Sequence, residues 1–200
     1  MLSTNLTSIS GKHRILTTQT QALLIDVQQR LMPHIAENEV LLKKLQTLLQ
    51  GLQALNVPIM CNQQYTKALG ETLPELVEIL TQNNHGNALD LTVFEKRSFS
   101  CCDTDHSMQH IAAQQRPVVL LFGIETHVCV LQTAMDLLDH GYQPVLVVDA
   151  VSSRSLQDKQ IAVQRMQQAG VILTTVESIL FELCRDSQVA EFKTISNLVK

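Results

Sequence analysis

The chain predicts a three-layer α/β/α sandwich built around a mostly parallel six-stranded sheet, and three observations carry that expectation. Strand-like and helix-like segments alternate from about residue 21 to the C-terminus. The run Pro117-Val118-Val119-Leu120-Leu121-Phe122-Gly123 is continuously apolar and β-rich, as a parallel strand covered on both faces must be. Finally, 200 residues with 45% hydrophobic and 17% charged side chains suffice to bury one sizeable core, so one domain over residues 1–200 is expected.

Residues 1–15 read as a Ser/Thr-rich N-terminal extension. Ala22-Leu23-Leu24-Ile25-Asp26 is the first strand, and the helix after it keeps helical period through Val40, Leu41, Leu45, Leu48, Leu49 and Leu52. Val57-Pro58-Ile59-Met60-Cys61 restarts the sheet. Residues 62–90 contain Gly70, Pro74 and Asn83-Asn84-His85-Gly86, with room for one short helix near 75–80, and are expected to form a long active-site loop. Leu91-Thr92-Val93-Phe94 is the third strand, ending at Glu95-Lys96, after which Asp103 is placed to cap a helix reaching about Gln115. The Pro117 run is the fourth strand. Val130, Leu131, Ala134, Leu137 and Leu138 then recur at helical spacing until Gly141. Val145-Leu146-Val147-Val148 and Val171-Ile172-Leu173-Thr174 are the fifth and sixth strands, separated by a helix from Leu156 to Ala169 that stops at Gly170.

The formal net charge of −4, with acids and bases interspersed, offers no basic stripe for nucleic acid. The N-terminal stretch has no apolar core of signal-peptide length, and no segment reaches the roughly 18 apolar residues of a membrane span, so a soluble cytoplasmic protein without a membrane partner is expected. Five cysteines (Cys61, Cys101, Cys102, Cys129, Cys184) form no disulfide framework, which predicts reduced thiols.

Cys129 carries the chemistry. It follows the fourth strand in Gly123-Ile124-Glu125-Thr126-His127-Val128-Cys129-Val130, which places it in a first helical turn. Unpaired N–H groups and the positive helix end there favour a thiolate over a thiol; the competing reading is a core cysteine. Asp26 closes the first strand and Lys96 the third, so an acid, a base and a thiol meet at the carboxyl edge where open parallel sheets hold their sites. Taken singly, Asp26 reads as a helix cap and Lys96 as a surface charge. Together they supply what a cysteine hydrolase needs: a proton acceptor and a fixed cation.

These residues resemble the isochorismatase-like cysteine hydrolases, especially the isochorismatase domain-containing proteins. The resemblance runs through Leu23-Leu24-Ile25-Asp26-Val27-Gln28, Gln64-Tyr65-Thr66-Lys67-Ala68-Leu69-Gly70, Phe94-Glu95-Lys96-Arg97-Ser98-Phe99-Ser100, Gly123-Ile124-Glu125-Thr126-His127-Val128-Cys129 and Asp149-Ala150-Val151-Ser152-Ser153-Arg154, to the terminal Phe192–Lys200 segment. It implies a triad of Asp26 as general base and acid, Lys96 as organising charge and Cys129 as nucleophile. It also implies a cis peptide at Ile124-Glu125, an oxyanion hole from the backbone N–H groups of Glu125 and Cys129, and an acyl-enzyme. Gln28, Tyr65, Phe99 and Thr126, which stand in these motifs, are expected to line a small-molecule pocket. Nicotinamidase members carry an Asp/His metal site soon after the second strand, where this chain reads Asn62-Gln63-Gln64-Tyr65; no such zinc and no other cofactor is expected. A homo-oligomer is expected by analogy with the family.

Other constellations compete. His106 and His110 stand at i and i+4 downstream of Cys101, Cys102 and Asp103, a spacing that suits a metal, against a solvated helix face. His127 is too near Cys129 in sequence to face it and reads as structural or pocket-lining. Ser152-Ser153-Arg154 suits an anion or a helix cap. The expected activity is hydrolysis of a small amide or ester-like carbonyl; the alternatives are an isochorismatase-type vinyl ether hydrolase and a non-catalytic or redox-responsive binding protein.

Overall fold

The structure, a computed structural model, describes residues 14–82 and 91–200. Six strands, β1 (Thr20–Ile25), β2 (Ile59–Gln64), β3 (Val93–Lys96), β4 (Val118–Ile124), β5 (Gln143–Ser152) and β6 (Ile172–Thr174), form one sheet in the order β3-β2-β1-β4-β5-β6. Every pairing is parallel. The order reverses direction between β1 and β4, so the carboxyl ends of β2, β1 and β4 lie side by side at the switch point. All six residues of β1 are buried; Ala22 to Ile25 read as an apolar run, while Thr20 and Gln21 are buried polar residues at its start.

Helix α1 (Asn38–Ala54) buries Leu41, Leu45, Leu48, Leu49 and Leu52 on one stripe, and packs with α3 (Pro74–Leu80), α7 (Val176–Cys184) and α8 (Phe192–Leu198). Helices α5 (Leu131–Asp139) and α6 (Leu156–Ala169) pack together and against β5. Ser155 caps α6 by accepting from Asp158 N, and Gly170 ends it in the left-handed conformation at φ 106°. Among the described residues no helix is long and apolar enough to cross a membrane.

Several boundaries differ from the sequence reading. Ile15, expected as the last residue of the N-terminal extension, is buried, and its N–H donates to Glu182 Oε1 at 2.9 Å. The described part of the expected 62–90 loop, residues 62–82, carries regular elements. Strand β2 continues through Asn62 and Gln63 to Gln64, and α2 (Thr66–Leu69) and α3 follow. Buried polar side chains hid that strand end: Asn62 and Gln63 interrupt the apolar pattern without leaving the core. The Asn83-Asn84-His85-Gly86 turn signal lies outside the described residues. Asp103 caps nothing; Cys101–Asp103 is itself a 3₁₀ turn capped by Ser100, and α4 (Asp105–Ala113) begins after Thr104. The segment before α5 is a wide π-type turn over Thr126–Val130, so Cys129 lies in that turn and not in a first α-helical turn. The C-terminal helices, left unassigned by the sequence reading, bury Val176, Ile179, Leu180, Leu183 and Ile195.

Candidate active site

Asp26 follows the last residue of β1 with φ 53°, a left-handed backbone that ends the extended run. Its N–H is held by Asn62 O at 3.1 Å, which fixes the aspartate abreast of β2. Lys96 closes β3, two strands away, and its side chain crosses β2 to reach the carboxylate. Nζ donates to Asp26 Oδ2 at 2.7 Å, with both side chains fully withdrawn from solvent. Its other partners are Gln64 Oε1 at 2.8 Å and Ser98 O at 3.4 Å. Gln64 is in turn anchored: its Nε2 donates to Arg97 O, and Gln28 clamps its main chain by donating to Gln64 O and accepting from Gln64 N.

Gly123 brings the third element close. Its φ is 118°, and a Cβ there would collide with Ile25 O, so β4 approaches β1 more closely than any side chain permits. The following peptide, Ile124-Glu125, is cis. The turn from Thr126 to Val130 then delivers Cys129 to Asp26. Supports hold this turn from β5: Arg154 Nε donates to Glu125 Oε1 and Oε2 at 3.1 Å each, and His127 Nδ1 pairs with Ser153 Oγ at 2.9 Å. Ser153 and Arg154 thus brace the turn that carries the cysteine, Ser152 donates to Ala36 O, and the cap of α6 is the next residue, Ser155. His127 is turned to Ser153.

The electrostatics correct one expectation. Burial pushes the Cys129 thiol well above its ordinary value, the charge of Asp26 adds to that, and Lys96 only partly offsets them. Burial therefore favours the resting thiol over the thiolate, opposite to what a helix N-terminus suggests. Burial also raises Asp26, opposed by the Lys96 ammonium and, less, by the neighbouring Cys129 thiol. For Lys96, burial works to lower proton affinity, but Asp26, Cys101 and Cys129 outweigh it, and the ammonium is held. Cys101, pushed up to about 12 mainly by burial, adjoins the same charges.

Four buried side-chain atoms among the described residues have no hydrogen-bond partner: Asp26 Oδ1, Asn62 Oδ1, Asn62 Nδ2 and Thr126 Oγ1. They belong to the carboxyl ends of three adjacent strands, β1, β2 and β4. Each costs about 1–3 kcal/mol if left unmet, so they mark a place built to meet something else. Asn62 was missed by sequence reasoning; its signal is a polar side chain inside a strand with no structural partner of its own.

The expected pocket residues fare differently. Thr126 is fully buried at the site. Gln28 is fully buried, and its amide is engaged with Gln64 N, Gln64 O and Gly70 O. Tyr65 lies beneath the Arg97 guanidinium at 4.1 Å, and Phe99 is 52% exposed. His106 and His110 pack against Phe94 with tilted rings, at centroid distances of 4.9 and 4.7 Å, while Cys101 and Cys102 pack toward Thr133. Among the described residues no group of three or more His, Cys, Asp or Glu side chains is arranged to hold a metal.

The isochorismatase domain family matches residues 20–178. The chain is 37% identical over 185 residues to isochorismatase family protein 1B of Dictyostelium discoideum, covering 91% of this chain and 87% of that protein. It is 42% identical over 156 residues to the secreted isochorismatase effector Isc1 of Phytophthora sojae, covering 77% and 71%. Among solved structures, the MAR1 ribonuclease of Caenorhabditis elegans superposes with a TM-score of 0.84 at 35% identity, covering 93% of this chain and 92% of that one. The YcaC gene product of Escherichia coli, described as an octameric hydrolase of unknown specificity, gives 0.84 at 21% identity over 93% and 90%, which speaks to the fold alone. With this sheet order, and a family match that spans every strand, the chain belongs to the isochorismatase family and is a hydrolase of that superfamily.

Proposed function

We propose that the protein hydrolyses a small carbonyl compound of the amide or ester type through Cys129, Asp26 and Lys96, by way of a covalent acyl-enzyme. The observation that carries this reading is the buried ion pair of Lys96 and Asp26 at 2.7 Å, in which Oδ2 is occupied and Oδ1 stays unpaired near the thiol. Oδ1 is the atom that accepts a proton. Asp26 takes the Cys129 proton as sulfur attacks the carbonyl, and Lys96 keeps the carboxylate ionised despite its burial. The backbone N–H groups of Glu125 and Cys129, on either side of Thr126, receive the developing oxyanion. Asp26 then returns its proton to the leaving group, and a water activated by Asp26 releases the acid and regenerates the thiol.

Cys129 favours a carbonyl over the vinyl ether of isochorismate, for which no sulfur nucleophile is needed. A relative carries the name ribonuclease, but this chain's net charge of −4 and the engagement of Lys96 with Asp26 give a phosphodiester little to bind. A cytoplasmic homo-oligomer belongs to the same proposal: all five cysteines are free and buried, and a protein of the same fold is octameric. The test is a panel of small amides and esters assayed with Cys129→Ala as control, with intact-protein mass spectrometry after rapid quench. Turnover that depends on Cys129 and an acyl adduct on that residue are expected; full activity in Cys129→Ala would end the proposal.

A further inference from the structure

We propose that Asn62 holds the hydrolytic water against Asp26 Oδ1 and so serves the second half of the reaction. The inference rests on the acyl-enzyme reading above. Side chains alternate along β2. Cys61 and Gln63 point to one face, where both meet the Thr72 hydroxyl, at 3.5 and 2.8 Å. Gln64 points to the other, where its Oε1 receives the Lys96 ammonium. Asn62, two residues before Gln64, therefore shares the face of the ion pair. It is fully buried, and neither atom of its amide has a partner.

Asn62 is also tied to Asp26 through the main chain, since Asp26 N donates to Asn62 O at 3.1 Å. Polar partners on the opposite face are Gln63 and Thr72, and around the ammonium Gln64, so the Asn62 amide is left without a hydrogen bond in the resting protein. What the chemistry still requires is a group that orients water. After acylation, sulfur is bonded to the acyl carbon and its proton has gone with the leaving group. Asp26 Oδ1 is again a bare acceptor, because Oδ2 stays with Lys96. A water that donates one hydrogen to Oδ1 needs a second fixed partner, and a buried water is held by two to four polar groups. The Asn62 amide supplies one. As water oxygen bonds to the acyl carbon and the carbon–sulfur bond breaks, the proton passes to Oδ1 and then to sulfur, restoring carboxylate and thiol.

The experiment uses p-nitrophenyl acetate as probe, because release of nitrophenolate reports acylation and loss of the acetyl adduct by quenched-flow mass spectrometry reports deacylation. Asn62→Leu fills similar volume without polar atoms. Its acylation should stay within about threefold of wild type while deacylation falls roughly 10- to 100-fold and acetyl-enzyme accumulates. Asn62→Ser should recover part of the deacylation rate. Thermal denaturation of Asn62→Leu should show a midpoint no lower than wild type, separating the effect from misfolding. Equal slowing of both steps, or wild-type deacylation in Asn62→Leu, overturns the inference and leaves the Cys129 reading standing. Absence of any Cys129 adduct in the wild type overturns both.

Discussion

Lys96 Nζ sits 2.7 Å from Asp26 Oδ2, and neither side chain keeps any exposure to solvent. A pair so buried is asymmetric in its energetics: losing one partner leaves a bare charge in the core, whereas losing both leaves only a change of shape. Lys96→Met should therefore destabilise the protein by about 3–5 kcal/mol and drive Asp26 to its neutral form, with activity at neutral pH lost. Asp26→Asn should abolish turnover by about 10²–10⁴-fold. The double variant should regain much of the stability without regaining activity. Urea denaturation of the three variants measures this; a double variant less stable than both singles would refute the coupling.

The raised proton affinities set the pH dependence. In the proposed mechanism Asp26 acts as a carboxylate, and burial lifts its pKa above the ordinary 3.8, so kcat/KM should fall on the acid side with a midpoint above that value. Cys129 lies far above its ordinary range, with burial the largest cause, so little thiolate exists at rest. Iodoacetamide labelling of Cys129 should keep rising between about pH 6 and 9 with no plateau. A labelling rate already level near pH 7 would mean that Lys96 and the turn generate a thiolate unaided.

The strands most legible in the sequence are those with an apolar centre, Ala22 to Ile25 of β1 and Val118 to Phe122 of β4. In β1 and β4 apolar side chains face helices on both sides, so burial and composition agree. The carboxyl end of β2 was not legible because Asn62, Gln63 and Gln64 look like loop residues; only in three dimensions do Thr72, Lys96 and Gln28 account for two of them. Asp26, Lys96 and Cys129 could be picked out because each ends or follows a strand at the same edge. The thiol's protonation could not. It depends on how completely neighbouring chains exclude water, and the sequence motif shows a helix start where the backbone forms a π-type turn. The clamp made by Gln28 was not legible for a related reason, since its amide serves two backbone segments, 36 and 42 residues away, that no local pattern connects to it.

Two glycines separate close approach from conformational freedom. Gly123 combines φ 118° with a position where a Cβ would strike Ile25 O, a backbone atom that cannot swing aside. Gly170 has a similar φ of 106° but nothing within 4 Å. Gly170→Ala should cost about 1 kcal/mol. Gly123→Ala should cost at least about 3 kcal/mol and also lower activity, because β4 must move away from Asp26 and carry Cys129 with it. Comparable melting temperatures for the two variants would show that the approach of β4 to β1 is not tight.

The His106 and His110 pair offers the last prediction, because a metal and a packing role give opposite results. Both rings lie on Phe94 at 4.9 and 4.7 Å, an arrangement that uses imidazole as an aromatic surface and is best served by the neutral form. For His110, burial first and the neighbouring His106 second lower the pKa below 6.5. A depressed value in the folded state means that its contribution to stability is present above the unfolded value and is lost as pH falls through the folded one. Thermal stability should thus decline modestly on acidification below about pH 6.5, and His110→Gln should flatten that part of the curve. Exhaustive treatment with EDTA should leave activity and melting temperature unchanged. Loss of activity on chelation, restored by zinc and abolished in His106→Gln, would instead assign the pair to a metal and make the packing on Phe94 incidental.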